Sequence, residues 1–146
     1  MNTPARETVI QGFITALANA LVANGYSFDL GASVYRGLHQ VPMVPSLSVF
    51  DGVATIAEVP RVHRHTMPVV IEGHVSATNT NVAANAILAD IITAVNVNFS
   101  VAGVVLNLTS YGVAHTEDVV DTASASVTYT VIFHTSRTDP LTILEV

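Results

Sequence analysis

Ser126-Val127-Thr128-Tyr129-Thr130-Val131-Ile132-Phe133-His134 is the stretch from which the rest of the chain is read. Successive side chains of a strand point to opposite faces, so Val127, Tyr129, Val131 and Phe133 share one side while Ser126, Thr128, Thr130 and His134 share the other. One face belongs to a core, and the other is wet or at an interface. Upstream, Arg61-Val62-His63-Arg64-His65 runs into Val69-Val70-Ile71, a second strand whose most secure part is Val69 to Val75. A helix lies between the two strands. This order predicts an α+β fold, an antiparallel or mixed β-sheet packed against two α-helices in a single domain over residues 1–146. A domain of this length buries roughly 68–70% of its unfolded surface, enough for one real core.

The intervening helix is the clearest element. Thr78-Asn79-Thr80-Asn81 offers capping oxygens, and Ile87, Leu88, Ile91, Ile92 and Val95 follow on one face. Asn85 and Thr93 take the other side with Asp90 at the margin, which places the helix at about 80–96. An earlier helix is expected at about 4–23. Thr3 would cap it, Pro4 would take the first helical position, and Val9, Ile10, Phe13, Ile14, Leu17 and Leu21 would form its stripe. Asn24-Gly25 would stop it.

Short strands are expected around Ser33–Arg36, Ser46–Phe50 and Val53–Val59, with turn chemistry at Asp51-Gly52. Pro60 and Pro68 bracket the cationic stretch. Proline cannot donate a ladder hydrogen bond, so both suggest an edge position or a bulge. A further strand is expected around Val101–Thr109, before a polar loop carrying Glu117, Asp118 and Asp121. Residues 138–146 read as an extended C-terminal tail, ordered only where something holds it.

Half the residues are hydrophobic, 11% are charged, and the mean hydropathy is +0.52, so some apolar surface is expected to be shared with a partner. The apolar stripes are interrupted by Gln11, Thr15 and Asn19 and again by Asn85, Asp90 and Thr93, so neither reads as a membrane span. Arg6, between Pro4 and Glu7, does not make the basic start of a signal peptide, and the mature chain is expected to begin at Met1. Zero cysteines exclude disulfides, thiolate metal sites and cysteine nucleophiles. All five cations are arginine, eleven residues are acidic, and the net charge is −6, the wrong sign for broad phosphate binding.

Six histidines make a metal site the first catalytic idea. His63 and His65 share a strand face, and His74, His134, Glu72 or Asp118 would have to complete the ligand set. Arg61 and Arg64 oppose a dication there, and no third ligand is fixed by spacing, so structural or interface histidines are the favoured reading. No nucleophile elbow, phosphate loop or dinucleotide motif occurs, and Glu58 and Glu72 read as solvated or ion-paired strand residues. Neither a catalytic residue nor a cofactor is expected. Arg61, His63, Arg64 and His65 form the one dense cationic patch. Two readings coexist: a charged edge that blocks unwanted strand pairing, and a subunit contact with Glu117, Asp118 or Asp121 of a neighbour.

In segment order the chain resembles the phage tail terminator family, the minor tail protein U-like proteins. The likeness runs from the N-terminal helix through Val44-Pro45-Ser46-Leu47-Ser48-Val49, then Met67-Pro68-Val69-Val70-Ile71-Glu72-Gly73 and the helix Ala83-Asn85-Ile87-Leu88-Asp90-Ile91. It ends with Val127 to Thr135 and the polar exit Arg137-Thr138-Asp139-Pro140. No single motif is specific; the ordered set is. The resemblance implies a homo-oligomer, a hexameric ring that caps the tail tube protein, stops its polymerisation and meets the head-side connector or head-completion protein. It also implies that DNA passes through the lumen without specific binding, that no membrane is involved, and that the protein sits in the virion neck after assembly in the host cytoplasm. Arg61, His63, Arg64, His65, Glu117, Asp118, Asp121, Arg137 and Asp139 are the expected interface residues. The His-rich strand and the Leu141–Val146 tail have no counterpart role in the family. Two rival readings stay open: another ring-forming neck or tail tube protein, and a His-ligated metalloenzyme.

Overall fold

Two long strands form the spine. The computed structural model describes residues 3–39, 41–114 and 121–145. Within them β4 (Val62–Ser76) and β6 (Thr122–Ser136) pair antiparallel in unbroken register, from Val62↔Ser136 to Ser76↔Thr122. β6 alternates in burial along its whole length, and β4 does so from Met67 onward. Met67, Val69, Ile71 and Val75 share the core face with Val127, Tyr129, Val131 and Phe133. At about 3.3 Å per residue the ribbon is about 46 Å long.

Each long strand carries two short ones, end to end, on its outer edge. β2 (Ser46–Asp51) and β3 (Thr55–Val59) both pair antiparallel with β4, and β1 (Val34–Arg36) lies parallel to β2. On the far side β5 (Val105–Ala114) and β7 (Asp139–Leu144) both pair antiparallel with β6. The result is a seven-stranded mixed sheet, as the alternation of the long strands implies.

The cationic strand is interior, which corrects the edge reading of Pro68. The bulge reading holds. Register slips by one residue between Asp51↔Val69 and Thr55↔Thr66, so β2 and β3 are one strand broken at residues 52–54. Pro68 O accepts from Gly52 N at 2.9 Å. The N–H and C=O of a strand residue point to the same side, so the donor that Pro68 lacks faces the break, and the ladder to β6 loses nothing. A Cβ on Gly52 would lie 2.5 Å from Pro68 Cγ, which is why glycine occupies the crossing point. Asp51-Gly52 is therefore a break in one edge and not a hairpin turn.

Both helices cover the core face. α2 (Thr80–Asn98) is capped by Asn79, whose side chain accepts from Val82 N, and it buries Ile87, Leu88, Ile91 and Val95 against the sheet. Each large aliphatic side chain buried this way contributes about 1.5–3 kcal/mol of transfer free energy. By length and composition α2 could cross a bilayer; its apolar stripe is instead packed on the sheet. Gly73 on β4 lets it come close, since a Cβ there would collide with Ile87 Cγ2.

α1 (Ala5–Leu17) is shorter than its apolar pattern suggests. After Leu17 the chain tightens, with Ala20 N bonded to Leu17 O, and Asn19 Nδ2 occupies the carbonyls of Thr15 and Ala16. A single 3-10 turn (Val22–Asn24) then closes on Gly25 at φ 92°. Thr3 makes no cap; Pro4 stands at the cap position with no side-chain bond. Phe13 packs 4.9 Å from Phe99 and 5.8 Å from Tyr129, tying α1 to the sheet. The closing segment, ordered only where something holds it, is held by β6 as β7 through Leu144.

Candidate subunit interface

One end of the spine is a four-stranded extension in which residues 62–66 of β4 pair with 132–136 of β6, flanked by β3 and β7. Arg61 sits at its tip, in the two-residue turn between β3 and β4, at φ 72°. Proline first and a left-handed residue second is the order of a type II turn, whose second place usually belongs to glycine.

Around this tip the sequence-predicted residues are gathered. His65 lies flat on Phe133, ring centroids 4.7 Å apart with an interplanar angle of 1°, and its Nε2 is 2.9 Å from Thr135 Oγ1. Burial, then the neighbouring His63 and His134, lowers the His65 pKa and so favours the neutral ring. His63 stands edge-on to His65 at 6.4 Å, with Nε2 3.8 Å from Glu58 Oε1. Arg137 Nη2 is 4.0 Å from Glu58 Oε2. Arg64 faces the opposite side of the sheet, opposite His134 in register. Asp139 is occupied by its own turn. Its Oδ1 accepts from Leu141 N at 2.9 Å, and that bond, with further bonds from Thr142, lowers its pKa.

Of the acidic side of the expected contact, only Asp121 falls among the described residues. Glu117 and Asp118 lie outside the described residues. Asp121 immediately precedes β6 at the other end of the spine, where its carbonyl accepts from Ala77 N. Within one chain Asp121 and Arg61 are thus separated by roughly the ribbon's full 46 Å, and a contact between them has to run between copies.

The metal idea finds no geometry. His63 and His65 share a face as predicted, but His74 and His134 are on the opposite one, and His74 pairs with Ser124 Oγ at 3.0 Å. Among the described residues no three histidine or acidic side chains converge on a metal position. Glu58 and Glu72 are not a catalytic pair either: Glu58 aligns with His63 and Glu72 with Ser48, nine residues along β4, about 30 Å.

Asp90 is what the sequence reading missed. It is buried at 5% exposure, and its carboxylate accepts from Ser27 N and Phe28 N at 3.1 Å. The signal was one acid on the margin of an apolar helix stripe.

No protein-family model matches the chain, and no curated protein matches it. Among solved structures, a chain in the virion of a native gene transfer agent particle matches with a TM-score of 0.57 at 18% identity. The two chains share one fold. The match covers 87% of this chain and 98% of that one.

Proposed function

We propose that this chain is a structural protein of a phage-like virion. In this reading it forms a hexameric ring at the head-proximal end of the tail tube, ends tube growth, and presents a surface to the head-side connector or head-completion protein. The observation that carries the proposal is the near end-to-end likeness to a virion chain, 98% of which is covered. The ordered segment set that resembles tail terminators supports the finer assignment.

The work of such a protein is steric and interfacial. A ring needs two different patches on each subunit, so that one copy's first patch meets the next copy's second. The cationic extension is proposed as one of them, with Arg61, His63, Arg64 and Arg137 meeting negative surface on a neighbour, while His65, stacked on Phe133, and Asp139, bonded within its own turn, hold the shape of the contact. Asp121, at the far end of the chain's long axis, is proposed to belong to such negative surface, and Glu117 and Asp118 are proposed to join it, as the sequence suggests. A net charge of −6 suits a lumen through which DNA slides without adhering. The ring belongs in the neck of the virion and assembles in the host cytoplasm.

The test is the absolute mass of the purified chain by light scattering over a concentration series, with negative-stain images of the same material alone and with tail tubes. A closed six-membered ring, free or seated on tube ends and halting their growth, is expected. Open-ended tubes built from this chain would make it a tube protein. A monomer indifferent to tubes would overturn the assignment.

A further inference from the structure

Both helices finish at one cleft. Asn19, Asn24, Tyr26 and Asn98 line a hollow of about 290 Å³, which adjoins a second of about 300 Å³ reaching Asp90 and Thr93. The three asparagine amides are oriented alike. Nδ2 of Asn19 donates to Thr15 O at 3.1 Å, that of Asn24 to Asn19 O at 3.0 Å, and that of Asn98 to Ala94 O at 3.0 Å. Those donors are turned to neighbouring groups: Asn19 Nδ2 also reaches Ala16 O at 3.4 Å, and Asn98 Nδ2 also donates to the Tyr26 hydroxyl at 3.3 Å. Among the described residues no hydrogen bond uses the three Oδ1 atoms, so the cleft presents acceptors.

Its electrostatics point the same way. Neither α1 nor α2 has a basic residue in its last turn, so the negative ends of two helix dipoles meet here without a cation. Asp90, buried beside the cleft, has no cation within ion-pair distance among the described residues; its hydrogen bonds come from two backbone N–H groups. A buried carboxylate without a counter-charge is rare.

The chain's own cations supply the complement. It has no lysine, and Arg6 and Arg36 are tied to Asp51 and Glu7. Arg61 is exposed at the tip of the extension, in a left-handed conformation that an arginine seldom adopts. We propose that the cleft is a guanidinium-binding site and that its occupant is Arg61 of a second copy of this chain. This rests on the reading of the cationic end as a subunit contact, and it names the surface that receives its tip.

Because the chain has no cysteine, introduced ones report position cleanly. Pro60→Cys protein, which keeps Arg61 and puts the thiol beside it on the exposed turn, is mixed with size-tagged Asn24→Cys protein, and separately with tagged Asp121→Cys protein, and each mixture is oxidised and run without reductant. The expected result is a mixed disulfide with Asn24→Cys, together with loss of association in Arg61→Gly, a variant that suits the turn and should melt no lower than the parent. Cross-linking only to Asp121→Cys, or association untouched by Arg61→Gly, overturns the cleft while leaving the ring reading standing. A chain that stays monomeric at every concentration overturns the choice of occupant. The cleft itself is tested on that monomer with N-acetyl-arginine amide, followed by the side-chain amide resonances of Asn19, Asn24 and Asn98. Saturable shifts that vanish in Asp90→Asn would make it a guanidinium site for another protein, and absent shifts would remove the site.

Discussion

Tyr129→Phe should make this protein more stable. Tyr129 is 1% exposed in the middle of β6, packed against Phe13, and its hydroxyl has no hydrogen-bond partner among the described residues. Burial alone pushes the phenol up to about 12. A buried polar group left unsatisfied costs about 1–3 kcal/mol. Phenylalanine keeps the ring and its contact with Phe13, and gives back a little of the gain as the small space the oxygen filled. The expected net effect is about 1 kcal/mol of added stability. With an unfolding entropy of about 2.1 cal/mol/K per residue, a chain of this size gains about 3 °C in Tm from 1 kcal/mol. Urea unfolding followed by circular dichroism should show the midpoint rise at constant slope. A loss of about 1 kcal/mol or more would mean that the hydroxyl holds a partner, and the account of this core position would be wrong.

Arg64→Glu should lower the mass of the assembled form in light scattering while leaving the circular dichroism spectrum unchanged; an unaltered ring mass would remove Arg64 from the contact. Ile91→Asp, at a fully buried site on α2, should unfold the domain, because an unpaired buried carboxylate costs several kcal/mol, about the size of the whole stability; a cooperative melt near the parent's would contradict this. Acid should destabilise the fold in two steps. His65 and His74 have pKa values lowered by burial, so below about pH 6.5 the unfolded chain takes up protons that the folded one refuses, and stability falls. Burial raises Asp51, but its hydrogen bond from Arg6, with backbone bonding and the charges of Arg36 and Arg6, outweighs that and lowers it. Glu7 is lowered by its hydrogen bonds from Gln11 and Arg36. Their contribution is present above about pH 4 and is lost as pH falls through the folded values. Urea midpoints from pH 8 to pH 3 should show both steps, and the double variant His65→Gln, His74→Gln should lack the first.

What was legible in the sequence was what has a period. The alternation from Val127 to Phe133 placed the core face of β6, and the stripe from Ile87 to Val95 placed α2 and its cap. Long-range pairing has no such local signature. Nothing near Asp51-Gly52 says that β2 and β3 are one interrupted edge, since the cause is Pro68, sixteen residues away in β4. Nothing in residues 139–144 says that β6 runs far enough past β5 to hold them. The cationic tip could be seen as a cluster because four of its residues fall within the five positions 61–65. Its ion-pair partner Glu58 and the flat stack of His65 on Phe133 depend on register. Asp90 escaped for a related reason: its partners, Ser27 and Phe28, lie more than sixty residues away, so only the fold brings donor and acceptor together.

The unbroken pairing of β4 with β6 also has a mechanical side. Its hydrogen bonds run across the long axis of the molecule, so a pull along that axis strains every rung in shear at once, and none can fail alone without shifting the rest. The helices and the short strands contribute little to that resistance, because each spans only part of the length. A subunit gripped at its cationic tip and at its opposite end would therefore behave as a stiff strut, and would pass tension from one neighbour to the next before it began to unravel.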